Sequence, residues 1–240
     1  MKLSNNKILI TGGASGIGLG LTERFIQENN TVIICGRREA TLKEAAGKFP
    51  SVITKVCDLS DERQRSELYH WVAEHHSDLN VLVNNAGIQN WMNILDSDFY
   101  QRANDEITTN IVALIHLTTL FTKLKSFNTI INVSSGLAFI PLSKVPVYCA
   151  TKAFVRSFTL SLRHMLKPTN IEVIEMTPPA LNTDLGGKGI HDGHPSVSDF
   201  VESVFQHMKE GKKELTFGTS ETRANANNEV IMDYFNKMNP

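Results

Sequence analysis

Short, almost wholly apolar runs rich in β-branched residues alternate along this chain with longer segments of helical period. That alternation restricts the fold more than any other feature. The strand candidates are Lys7–Thr11, Thr31–Gly36, Ser51–Val56, Asn80–Asn84, Asn128–Val133, Ile171–Met176 and Glu214–Phe217. Runs that lack a polar alternate face suit strands covered on both sides. Between them Ile17, Leu21 and Phe25 recur every four residues. Ile107, Ile111, Leu114, Thr118 and Phe121 align on one face of a long helix, and Phe154, Phe158, Leu162 and Met165 on another that Pro168 ends. The order β-α-β-α predicts an α/β, doubly wound parallel sheet of about seven strands with helices on both faces. The 240 residues contain no internal repeat, low-complexity tract or Pro/Ser-rich linker, so residues 1–240 are expected to form one domain.

Charge narrows the partners. Twenty-four Lys and Arg stand against 25 Asp and Glu, a formal net charge of −1. Such a balance supplies no attraction to nucleic acid or to an acidic membrane surface. No apolar run approaches the roughly 20 residues of a membrane span. The start Met-Lys-Leu-Ser-Asn-Asn-Lys leads into only three apolar residues, Ile8 to Ile10, too few for a signal-peptide core. A cytoplasmic location is expected. Cys35, Cys57 and Cys149 are odd in number, widely spaced and without a C-x-x-C pair, so they read as small buried hydrophobes.

Two stretches interrupt the regular pattern, residues 134–147 and 177–198. The second holds Gly186, Gly187, Gly189 and Gly193 and reads as a mobile substrate lid over about 184–198. Loops of this kind sit at the carboxyl ends of α/β strands, where ligands bind. After the first strand comes Thr11-Gly12-Gly13-Ala14-Ser15-Gly16-Ile17-Gly18, opening a helix. Glycines there permit a tight turn, let the backbone approach a pyrophosphate, and bring helix close to strand, as in a Rossmann-like unit. The free N–H groups and partial positive charge of the helix N-terminus suit phosphates. No Gly-Lys-Ser/Thr follows, which excludes an ATPase P-loop. The second strand ends Gly36-Arg37-Arg38, where an NAD site places an acidic residue on the ribose 2′-OH. Arg37 and Arg38 would pair with a 2′-phosphate, favouring NADP(H) over NAD(H); the other reading is a solvated helix start.

Tyr148 and Lys152 lie four apart on a predicted helix and share a face. An ammonium beside a phenol stabilises phenolate, so the Tyr148 pKa is expected to fall toward neutrality, tuning it as acid and base. Ser135 follows the fifth strand and Asn110 lies within the long helix before it. An inward amide there needs partners, which gives Asn110 a structural or relay role. Taken alone, Tyr-x-x-x-Lys also fits an ordinary surface helix pair.

In ordered series, these motifs resemble the short-chain dehydrogenase/reductase family over essentially the whole chain. The carriers are Thr11–Gly18, Asp58, Asn84-Asn85-Ala86-Gly87, Asn110, Ser135, Tyr148-x-x-x-Lys152 and Pro178-Pro179…Thr183. Within it, Met1–Asn6 and Asn84–Gln89 are similar to bacterial oxidoreductases encoded beside teichoic-acid D-alanylation enzymes. The resemblance implies Tyr148 as catalytic acid/base and Lys152 as the group that lowers its pKa and binds the nicotinamide ribose. It implies Ser135 as the group that orients the substrate oxygen and Asn110 as the holder of a relay water. It assigns Gly12, Ser15, Gly16, Ile17 and Gly18 to the pyrophosphate turn and Asp58 to the adenine. Asn84, Ala86 and Gly87 would flank the cofactor and Thr183 its carboxamide. The implied reaction is hydride transfer between the nicotinamide and a carbonyl or secondary-alcohol substrate, in a homodimer or homotetramer built on the long helices. The alternative is a dinucleotide-binding regulatory protein without catalysis.

Two departures bear on specificity: Pro178-Pro179 replaces the usual Pro-Gly, and the interval from Asn110 to Ser135 is short around Lys125–Asn128. Neither touches the reacting groups. His191-Asp192-Gly193-His194 reads as solvent or substrate contacts rather than metal ligands, so no metal is expected. Phe139, Ile140, Leu142 and Val145 suggest an apolar pocket, and Val230, Ile231, Tyr234, Phe235 and Met238 a stripe that must pack on the body or on another subunit.

Overall fold

A computed structural model describes residues 1–239. The first apolar run forms β1 (Lys7–Thr11), an interior strand of a seven-stranded sheet. It is flanked by β2 (Thr31–Gly36) and β4 (Val81–Asn84). Beyond β2 lies β3 (Ile53–Val56); beyond β4 follow β5 (Thr129–Val133), β6 (Glu172–Thr177) and β7 (Glu214–Thr216). All pairings are parallel, in the order β3-β2-β1-β4-β5-β6-β7. The expected α/β doubly wound sheet and its seven strands are therefore present, with strand ends moved by one or two residues.

The helices are α1 (Gly16–Gln27), α2 (Glu39–Lys48), α3 (Glu62–His75), α4 (Phe99–Ile107), α5 (Ala113–Phe121), α6 (Pro146–Met165), α7 (Val197–Lys209), α8 (Thr219–Ala224) and α9 (Asn228–Met238). They cover the sheet from both sides. One core joins Ile8, Ile10, Ile34 and Val83 to Leu21 and Phe25 of α1 and Phe200 and Phe205 of α7. The other joins Leu9, Ile33, Leu82 and Ile130 to Leu68, Leu117, Phe121 and Leu162. Successive strand residues thus serve opposite cores, which is why the strands read as unbroken apolar runs. No helix is long and apolar enough to cross a membrane among the described residues. All three cysteines are buried and unpaired, as expected of small core residues.

Two expected helix faces are corrected. A π turn over Thr108–Val112 interrupts the long helix between α4 and α5. Its extra residue rotates what precedes it, so Ile107 is left 42% exposed while Leu114, Thr118 and Phe121 remain buried. On α6 the inner face is Tyr148, Lys152, Val155, Thr159 and Leu162; Phe154 and Phe158 stack at its flank and Met165 is exposed. The stripe on α9 packs only partly: Ile231, Phe235 and Met238 are half-buried and Val230 and Tyr234 exposed.

Helix α1 reaches β1 only because Gly18 has no side chain. A Cβ there would overlap the Gly12 carbonyl and lie 2.6 Å from Asn85 Nδ2. Gly18→Ala should therefore lower the unfolding free energy by about 1–3 kcal/mol through overpacking. Gly47→Ala, in open space on α2, should raise it by a few tenths of a kcal/mol up to about 1 kcal/mol. Urea denaturation checks both; equal midpoints for Gly18→Ala and wild type would remove this contact from the account.

Candidate active site

The sheet order reverses between β1 and β4, and the crevice beyond their carboxyl ends is where an open α/β sheet binds ligands. A cleft of about 800 Å³ lies there, within the size of cofactor sites. Its walls carry Gly12, Ser15, Gly16, Ile17, Gly18, Arg37, Arg38, Asp58, Ala86, Gly87, Tyr148, Lys152 and Thr183, thirteen of the sixteen residues assigned to the site from sequence.

The turn at its base is built for a close-lying ligand. Gly12 and Gly16 adopt φ of +64° and +50°, in the left-handed region that favours glycine. A Cβ at Gly16 would lie 3.4 Å from Thr183 and fill the gap between the turn and the segment after β6. Ser15 caps α1 with extended backbone and no side-chain hydrogen bond, and no acidic residue occupies the first turn. The helix thus presents free N–H groups and its positive end to the cleft. A dinucleotide's pyrophosphate fits this cradle. At the β2 end Arg37 and Arg38 are exposed on the cleft rim, and Asp58 lies across from them, its Oδ1 accepting from the Ser60 N–H and hydroxyl.

Tyr148, 5% exposed, and Lys152, 5% exposed, project from the inner face of α6. Lys152 Nζ donates to the Val133 carbonyl at 2.8 Å and stands 5.6 Å from the centre of the Tyr148 ring. Ser135, after β5, lies close enough to the Tyr148 phenol to pull its pKa downward, and its Oγ accepts from Leu137 N at 3.1 Å. The titration differs from the sequence expectation. Burial drives the Tyr148 pKa upward, against a smaller downward pull from Ser135, with Glu106 and Cys149 adding to the rise. Burial also lowers the Lys152 ammonium to about 8. A pair predicted to pull toward phenolate is instead held as a protonated phenol beside a weakened cation, because both groups have lost their water.

Asn110 lies in the π turn with its amide almost fully used. Oδ1 accepts from Ile88 N at 2.9 Å, and Nδ2 donates to Ile88 O at 2.9 Å and Thr151 Oγ1 at 3.0 Å. One acceptor lone pair remains. A Cβ at Gly87 would sit 3.3 Å from Asn110 Oδ1 and 3.6 Å from Lys152 Nζ, so Gly87 keeps the space between them open. Asn84 is not brought to the cleft. Its Nδ2 turns inward to Thr118 Oγ1 at 3.2 Å and Asn132 Oδ1 at 2.9 Å, tying β4 to α5 and β5.

Several participants have no role that the sequence motifs assign. Asn85 Nδ2 bridges the Thr11 carbonyl at 2.9 Å and that of Gly12 at 3.3 Å, locking the first turn to the β4 loop. Glu106 is fully buried, accepts from Asn90 N, and keeps Oε2 without a partner among the described residues. Burial raises its pKa. Arg102 grips the same loop through the Trp91 carbonyl at 2.7 Å. Residues 184–196 run as successive turns, and a side chain at Gly186 would meet Gln89 and Trp91, so this segment rests on that loop. No cluster of metal-ligating side chains occurs among the described residues.

Comparison with known proteins gives the same picture. The family model described as short chain dehydrogenase matches residues 6–192. The chain is 46% identical over 230 residues to a Bacillus subtilis (strain 168) protein named "Uncharacterized oxidoreductase DltE", covering 90% of this chain and 89% of that one. A short chain dehydrogenase from Burkholderia cenocepacia J2315, solved in complex with NADP, superimposes with a TM-score of 0.85 at 22% identity, covering 98% and 99%. A short chain dehydrogenase/reductase from Burkholderia phymatum in complex with NAD gives 0.83 at 17% identity, covering 90% of each. At those identities the two structures speak to the fold alone. Family match, near relative and cleft together make this chain a member of the short-chain dehydrogenase/reductase family, an NAD(P)-dependent oxidoreductase.

Proposed function

We propose that the protein is an NADP-dependent oxidoreductase that moves hydride between the nicotinamide and a carbonyl or secondary-alcohol substrate, with Tyr148 as acid and base. The carrying observation is the Ser135–Tyr148–Lys152 arrangement at the inner end of a glycine-floored cleft. Residues 1–240 act as one catalytic domain, with 184–198 as the substrate lid. Bound NADP(H) supplies the hydride chemistry. The chain supplies position and proton. Ser135 Oγ holds the substrate oxygen; Tyr148 Oη gives that oxygen a proton in reduction and takes it back in oxidation. Lys152, fixed by Val133 O, holds positive charge beneath the phenol and toward the ribose. The lone pair left on Asn110 Oδ1 and the gap kept by Gly87 suit a relay water leading from Lys152.

The NADP preference rests on Arg37 and Arg38. The same sheet carries NADP in one structural neighbour and NAD in another, so the fold does not choose and the β2 end must. Two rim guanidiniums with no carboxylate partner favour a 2′-phosphate. A cytoplasmic homodimer or homotetramer completes this reading. Ile107, Val112, Leu160 and Met165 leave exposed apolar side chains on the long helices where the subunits would meet.

Tyr148→Phe should lose at least 10³-fold in kcat while NADPH still binds, measured by fluorescence titration and NADPH oxidation. Persistent turnover would remove Tyr148 from its role. Arg37→Ala should weaken NADPH binding about tenfold and leave NADH binding within twofold, a difference of about 1.4 kcal/mol. Equal loss for both cofactors would make the arginines surface charge. NADPH affinity should fall as pH rises through about 8, where Lys152 loses its proton. The sign follows because the charged form prevails below that pH and is lost above it. A flat binding profile between pH 7 and 9 would contradict a Lys152 contribution.

A further inference from the structure

Arg223, on α8, is a half-buried guanidinium outside the proton-handling machinery. Its Nη2 donates only to Met238 Sδ at 3.4 Å. The groups that act on its charge are Tyr234 and Cys149, whose thiol pKa burial pushes up, and no carboxylate among the described residues pairs with it. Burial lowers its pKa, yet a guanidinium keeps its proton. A cation removed from water without a counter-charge costs free energy unless a ligand supplies one.

Its placement is built rather than incidental. Ser220, fully buried, donates to the Thr177 carbonyl at 2.5 Å and so fixes α8 on the end of β6. Gly136, the residue after Ser135, donates its N–H to the Pro178 carbonyl at 2.9 Å. A Cβ at Gly136 would lie 3.2 Å from Ser220 and 3.5 Å from Arg223 Cδ. The helix therefore docks against the Ser135 turn through a glycine, and the stem of Arg223 lies along that turn. Beside it, Leu137, Leu142 and Leu185, the last from the lid, pack against Tyr148 and Cys149. One unpaired cation next to these apolar side chains suits a small molecule with one anionic end.

We propose that Arg223 anchors a carboxylate on the substrate, so that the enzyme acts on short-chain oxo or hydroxy acids whose reacting carbon lies a few atoms from the carboxylate. The planar fork of Arg223 receives two carboxylate oxygens, and Ser135 and Tyr148 receive the reacting oxygen at the other end. This rests on the oxidoreductase reading and adds the substrate class. Arg156, by contrast, is committed: it is paired with buried Glu175 at 3.0 Å and lies over the Phe139 ring.

The test compares acetoacetate with its methyl ester, the same ketone without the charge, in NADPH-dependent reduction by the full-length protein. The wild type should favour the acid at least tenfold in kcat/KM, and Arg223→Gln should reduce the acid-to-ester ratio 30-fold or more. An unchanged ratio, or a wild type that prefers the ester, overturns the proposal while leaving the oxidoreductase reading intact. Calorimetric titration of the NADPH-loaded protein reads the anchor without turnover. Acid binding that Arg223→Gln abolishes, with neither compound reduced, would sustain the anchor and count against the proposed carbonyl reduction. Should Arg223→Gln fail to fold, phenylglyoxal labelling of the wild type decides. Protection of Arg223 by acetoacetate and not by the ester supports the anchor; equal labelling overturns it.

Discussion

The contact on which the rest of the structure depends is backbone against backbone. Gly18 of α1 lies on the carbonyl of Gly12, and Asn85 stitches that same turn to the loop after β4. Thr11 secures it from below, its hydroxyl donating to Val83 O and accepting from Asn85 N and Ala86 N. Because helix and strand meet without intervening side chains, the helix N-terminus arrives at the sheet edge close enough to address a phosphate. The cleft, its floor and the spacing of its two walls follow from that single approach. A bulkier joint would leave the sheet intact and the site unassembled.

The catalytic end follows a different rule, that of polar groups held out of water. Lys152, Tyr148, Ser135, Asn110, Asn132 and Glu175 are all buried. Most have partners: Asn132 Nδ2 reaches Thr159 at 2.9 Å, and Ser134 reaches Glu175 at 2.6 Å. Such a network fixes one arrangement of β4, β5, β6 and α6, since any slip strands a polar atom. Lys152 is the exception in energy. Its lowered pKa means the fold accepts its charge reluctantly below about 8. The unfolded chain holds that proton up to about 10.4, so the penalty is complete below 8 and relieved as pH rises between the two. Stability is given up where the proposed chemistry calls for a cation.

How much of this was legible in the sequence depends on the kind of signal. The strands were visible because strands buried on both faces admit no polar alternation, and β1 and β2 were found to the residue. The glycine turn and the Tyr148–Lys152 pair were visible because each needs particular residues at fixed spacing. Long-range desolvation was not visible. The upward push on Tyr148 comes from everything that covers it, including Glu106 from another helix. Asn84 misled because adjacent residues on a strand point oppositely: Asn85 turns to the first loop while Asn84 turns into the sheet. The π turn was hidden since Thr108–Val112 carries no composition that marks one, and with it the exposed Ile107.

That π turn sets a limit on how the chain can vary in length. It lodges one residue more than a regular helix would between Glu106 and the α5 core, and Asn110 sits within it with both backbone groups of Ile88 in its grasp. Removing one residue here would regularise the helix and rotate by about 100° everything on one side of the deletion. Either Asn110 would let go of the cleft wall, or Leu114, Leu117 and Phe121 would leave the core. The turn that follows is tied down by Leu124, Ser126 and Phe127, but its exposed Lys123 and Lys125 are under no such obligation. Two segments of the same crossover between β4 and β5 are thus unequal in editing tolerance: a residue can be added beside Lys123 or Lys125, while the regular-looking helix before them has its residue count fixed.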